Sequence, residues 1–174
     1  MTLLKTSLRL ASAAALVVFA ALAPSSAAEF RSPEGPVILT IAGTDATQGG
    51  SHEIRLDAAM LAEMGQTSFV TTTIWTEGPQ KFTGVLLKDL MDALGVKTGE
   101  LKATAINDYA ITIPVSDAVA GGPIVAYHLN DAPMSVRERG PLWIVYPYDS
   151  NKDYATEVIY SRSIWQLDRI DIVK

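Results

Sequence analysis

Two Asn-Asp dipeptides, Asn107-Asp108 and Asn130-Asp131, each stand between short β-rich runs, and they restrict the fold more than any other feature of the chain. Asn and Asp tolerate left-handed backbone and hydrogen-bond their own main chain, so both sites read as tight turns. Leu101–Ile106 and Tyr109–Pro114 flank the first turn, and Ile124–Leu129 and Ala132–Met134 flank the second. Strands joined this closely pair antiparallel. Val37–Ala42 and Phe69–Trp75 add β-branched segments, with Thr44–His52 expected as a Gly-containing loop between elements. Leu142–Tyr146 (LWIVY) has no polar alternation and suits a central strand covered on both faces. Ser163–Val173 closes the set as an imperfectly alternating strand.

Helical periodicity is confined to two places. Arg55–Gly65 aligns Leu56, Met60, Leu61 and Met64, with Asp57 as an N-cap candidate and Gly65 as a stop. Thr83–Gly95 aligns Leu86, Leu87, Leu90, Met91 and Leu94 and ends at Gly95. Ser116 is a candidate cap for a short helical turn. The expected class is therefore α+β, mostly antiparallel β-sheet with a few short helices.

The N-terminus has a separate logic. Lys5 and Arg9 precede an apolar run from Leu10 to Ala23, and the segment closes on Ser26-Ala27-Ala28. This pattern is that of a secretory signal, and its apolar part is shorter than the roughly 20 residues that span a bilayer. Residues 1–28 are thus expected as a signal peptide and 29–174 as a single domain, periplasmic or secreted, with no membrane span after cleavage. A chain of that size can bury roughly two-thirds of its extended surface without disulfides, and Cys is 0 in the sequence. Without Lys5 and Arg9, the 14 basic residues become 12 against 19 acidic ones, a balance of −7. Such a chain lacks the basic face that nucleic acid requires.

His52 and His128 stand alone, with no Glu-x-x-His spacing, so a histidine metal site is not expected. No Gly-x-Ser-x-Gly elbow or Gly-x-x-x-x-Gly-Lys loop is present. Arg137 and Arg139 are separated by one residue. On a strand they would face one side and grip an anion together. The alternative is a solvated turn partly neutralised by Glu138 and Asp131.

Three segments in order carry a resemblance: Phe82-Thr83-Gly84-Val85-Leu86-Leu87-Lys88-Asp89-Leu90, Asn107-Asp108-Tyr109, and Gly140-Pro141-Leu142-Trp143-Ile144-Val145-Tyr146-Pro147. Together with Ser163–Ile172 they resemble the molybdopterin-binding domain of the sulfite oxidase family, and in particular its short exported oxidoreductase-like members. The resemblance implies that fold, an oxidoreductase ancestry and a molybdopterin cofactor. It implies a ligand mouth for a pterin near Trp75, Asp108, Tyr109, Arg137 and Arg139. The alternative reading, from another class, is a non-catalytic periplasmic module that binds a small anion or a periplasmic protein partner. The family pattern places a metal-binding cysteine upstream of Phe82–Gly84. The matching region here, Thr71–Gly78, has none, and Trp143 and Ile164 replace basic residues of that pattern. A thiolate holds molybdenum as a soft ligand and no threonine hydroxyl replaces it. The expectation is a retained fold without the redox chemistry, with Trp75 either filling the vacated space or packing as ordinary core. For Asp108 and Tyr109 the alternative to a binding role is turn chemistry and a half-buried tyrosine. Tyr146, Tyr148, Asp149 and Asn151 read as a polar loop.

Overall fold

The computed structural model describes residues 30–45 and 50–173. The expected signal peptide, residues 1–28, and the middle of the Thr44–His52 loop lie outside them. Among the described residues the chain forms two five-stranded sheets and three short α-helices.

The first sheet contains β1 (Val37–Asp45), β2 (Gly50–Asp57), β5 (Glu100–Ala105), β6 (Ala110–Pro114) and β10 (Leu167–Val173), in the order β2-β1-β10-β5-β6. All its pairings are antiparallel except β1 with β10. Of the segment expected as a loop at Thr44–His52, residues 44–45 and 50–52 are paired strand, with Asp45 opposite Gly50. The second sheet runs β3 (Thr67–Thr71), β4 (Gln80–Leu86), β7 (Ile124–Leu129) and β8 (Ala132–Pro133), with β9 (Trp143–Val145) also paired to β7. Both Asn-Asp turns form as expected. Asp108, Asn130 and Asp131 have φ of 64°, 49° and 66°, the left-handed values that suit these residue types.

Helix boundaries differ from those the periodicity suggests. α1 spans Ala58–Glu63, and the preceding Arg55–Asp57 belongs to β2. Asp57 caps it, accepting from the Met60 N–H at 2.9 Å, and its other oxygen accepts from Glu34 and Gly35. α2 is only Leu87–Ala93, because Thr83–Leu86 is used as strand. Gly84 explains that choice. A Cβ there would overlap the Val125 carbonyl and Ala126, so glycine lets β4 lie against β7. Ser116 lies inside a 3₁₀ turn, Val115–Asp117, which starts at Pro114 and carries no side-chain cap.

Phe82, Val85 and Val125 of one sheet share a single buried core with Leu39, Leu101 and Ile170 of the other. Each such side chain contributes about 1.5–3 kcal/mol by leaving water. LWIVY is buried throughout, as its composition predicts. It is not a central strand, however: only Trp143–Val145 is extended, and it pairs with β7 on one side, with a single bridge from Trp143 to Trp165 on the other. No described helix is long and apolar enough to cross a membrane.

Candidate functional site

Trp75 organises the site. β3 ends at Thr71, earlier than the sequence suggests, and the loop that follows carries Trp75 inward. Its indole makes edge contacts with Trp143, Tyr148, Tyr160 and Trp165 at centroid distances of 5.9, 6.3, 5.8 and 5.5 Å. Such edge-on geometry places ring hydrogens against neighbouring π faces and adds attraction beyond area burial. Tyr148 is buried and donates to Ser163 at 2.6 Å, while Ser163 passes its own hydrogen to the Ile159 carbonyl. Burial pushes the Tyr148 phenol up to about 12. Tyr146 donates to Asp117, which also takes Arg162 at 2.8 Å. Burial first, then that carboxylate, raises its pKa. The Tyr146–Asn151 segment is therefore only partly the polar loop expected: both tyrosines are core, because their hydroxyls find internal partners.

A cleft of about 410 Å³ opens beside this cluster, walled by Ile74, Trp75, Tyr109, Tyr160 and Trp165. Asn107 and Gln166 supply polar groups, and none of its lining side chains is charged. Two of the five residues singled out from the sequence, Trp75 and Tyr109, meet here. Asp108 is at the neighbouring turn and faces Arg169 at 3.5 Å, outside the lining.

The arginines do not form the expected pair. Val136–Glu138 is a 3₁₀ turn, not a strand, and Arg139 follows it with a left-handed φ of 74°. Ser135 sets this geometry: its carbonyl accepts from both Glu138 and Gly140, and its hydroxyl bonds the Glu138 carboxylate. Arg137 is left exposed. Arg139 instead reaches inward, donates to the Trp75 carbonyl at 2.8 Å and lies 5.5 and 5.9 Å from the rings of Trp143 and Trp165. It braces the aromatic cluster through a charged hydrogen bond and cation–π contact.

Tyr160 and Gln166 escaped the sequence reading. Tyr160 comes from α3 (Glu157–Ser161), too short for a periodic signal, though Thr156 at its N-cap accepts from Ile159 and was a usable cue. Gln166 adopts a positive φ of 53°, which nothing local in its residue type announces.

The threonines at the end of β3 are fully engaged. Asp149 accepts from the Thr72 N–H and hydroxyl at 2.6 and 2.7 Å, and its own N–H donates to the Thr71 hydroxyl at 3.0 Å. The Thr72 hydroxyl and N–H hold the Asp149 carboxyl below the usual carboxylate range. Thr73 bonds Thr76 and the Trp75 N–H. A carboxylate 77 positions away in the sequence thus takes the hydroxyl and N–H of the residue that follows this strand.

A family model described as the oxidoreductase molybdopterin binding domain matches residues 39–150. Among solved structures, the sulfane dehydrogenase SoxCD from Paracoccus pantotrophus is similar at a TM-score of 0.56 and 16% identity, over 78% of this chain and 37% of that one. That likeness is one of fold, and this chain corresponds to little more than a third of the matched chain. No curated protein matches.

Molybdopterin is accordingly the group to test against the residues present. A molybdenum–thiolate bond has no donor, since the chain contains no cysteine. Thr71, Thr72 and Thr73 spend their hydroxyls on neighbours, and the carboxylate of Asp149 adds negative charge where an anionic group would need cations. The cleft lining has no lysine or arginine for a phosphate. These residues do not fit a molybdenum-bearing pterin phosphate, yet the family-model match and the likeness of fold are to the scaffold that carries it. The chain belongs to the oxidoreductase molybdopterin-binding domain family.

Proposed function

We propose that this chain is an exported, non-redox binding domain that keeps the family scaffold without its molybdenum chemistry. The observation that carries this reading is the engagement of Thr71 and Thr72 by Asp149, in the segment where the resemblance puts a metal thiolate and this chain has no cysteine. Threonine hydroxyls stay protonated near neutral pH and are hard donors, so they offer molybdenum neither the charge nor the softness of a thiolate. Export is supported by the Lys5–Ala28 pattern, and the absence of cysteine places no redox demand on the compartment. Folds persist while the sites grafted on them change, so scaffold and chemistry need not travel together.

Native mass spectrometry of the protein recovered from its own host tests both halves. The expected species begins at Glu29 and carries no molybdenum- or pterin-phosphate-sized adduct. A chain that retains Met1–Ala28 contradicts export, and a stoichiometric adduct of that mass contradicts the non-redox reading.

A further inference from the structure

We propose that the aromatic cleft is a binding site for a small, neutral, planar ring compound bearing an amide-type edge. The inference deepens the non-redox reading and rests on it, since a molybdopterin in this region would compete for the same walls.

Three features of the cleft set the ligand class. Its volume of about 410 Å³ falls within the ~300–1,000 Å³ typical of small-molecule sites. Trp75, Tyr109, Tyr160 and Trp165 give it π-bearing walls, which favour flat ring systems over branched aliphatic ones. Charge is the second constraint. With no charged side chain in the lining, a phosphate or carboxylate would be desolvated without compensation. Arg139 is committed to the Trp75 carbonyl and lies against two indoles, and Arg162 is paired with Asp117.

The third feature is a donor–acceptor pair. Asn107 uses its oxygen to accept from the Tyr109 N–H, and Gln166 uses its nitrogen to donate to the Val136 carbonyl. These bonds fix the orientation of both amides. Among the described residues the Asn107 Nδ2 donor and the Gln166 Oε1 acceptor have no hydrogen-bond partner, and both residues line the cleft. A lactam or carboxamide presents the complementary acceptor and donor. A ligand with that edge matches both groups in chemistry, whereas a purely apolar ring leaves them to water.

Isothermal titration with matched probes decides the matter: inosine against inosine monophosphate, and indole-3-acetamide against indole-3-acetate. Protein shown to contain no molybdenum is used, so that failure here is separate from failure of the non-redox reading. Both neutral probes should bind with submillimolar Kd, and each anionic partner about tenfold or more weaker. Tyr109 is 58% exposed, so Tyr109→Ala should leave the melting temperature unchanged while weakening neutral-probe binding on the order of tenfold, the scale of one lost stacking contact. Asn107→Asp keeps the acceptor for the Tyr109 N–H and removes the free donor, and should weaken the neutral probes as well. Absence of binding by both neutral probes at millimolar concentration, equal or tighter binding of the anions, or unchanged affinity in both variants would each overturn the proposal.

Discussion

Arg139 shows how little of a side chain's work its neighbours in sequence reveal. Its position in Val-Arg-Glu-Arg suggests a surface pair with Arg137, and strand geometry would deliver one. The Ser135 carbonyl instead collects two backbone N–H groups, the chain turns, and Arg139 is carried into contact with residues 64 positions away. Local hydrogen bonding decided the outcome, and that competition between turn and strand has no periodic signature. Arg139→Ala leaves the Trp75 carbonyl short of a donor and removes a cation from two indoles, and should cost about 1–3 kcal/mol in chemical unfolding. Arg139→Lys should recover only part of this, because an ammonium cannot serve carbonyl and ring faces as a planar fork does. A tryptophan emission spectrum that changes in neither variant would show that the arginine does not brace the cluster. Trp143 was legible as core from its apolar surroundings, but the aromatic contacts that converge on Trp75 were not, since they join residues distant in sequence.

At the scale of elements, turn chemistry was the most readable signal and helix periodicity the least. Asn107-Asp108 and Asn130-Asp131 fold where their residue types dictate, because a left-handed turn is specified locally. The Thr83–Gly95 stripe fits a helix, yet its first turn is strand. Gly84 and the Ser68–Thr83 hydroxyl contact at 2.7 Å tie that segment into the sheet, and pairing on both sides outweighs a propensity worth tenths of a kcal/mol. Asp57 is the reverse case, a cap visible in sequence whose wider role was not. It joins α1 to the entry segment at Glu34 and Gly35, and the backbone N–H groups of Gly35 and Met60 lead the effects that lower its pKa from 3.8 to about 2. The native state therefore favours the ionised form. Stability from this group is fully present above the unfolded pKa and is lost as pH falls toward and through the folded one. Melting temperatures of the wild type should drop between about pH 4 and pH 2 more steeply than those of Asp57→Asn, which has no such proton to bind. Parallel curves would assign the acid sensitivity elsewhere.

For the whole molecule, the family fold is present in a chain without cysteine. Two sheets, their shared core and the ordered segments of the family are in place. In the segment that the resemblance links to metal binding, Asp149 takes the Thr72 hydroxyl and N–H, and the lining of the cleft beside Trp75 is aromatic and uncharged. The missing cysteine was legible in the sequence. The Thr72–Asp149 contact was not, because it spans the chain and neither residue type is unusual where it stands. If this scaffold no longer holds molybdenum, the molybdenum-to-protein ratio of material purified from its own host, grown with ample molybdate, is near zero. A ratio near one would contradict the loss.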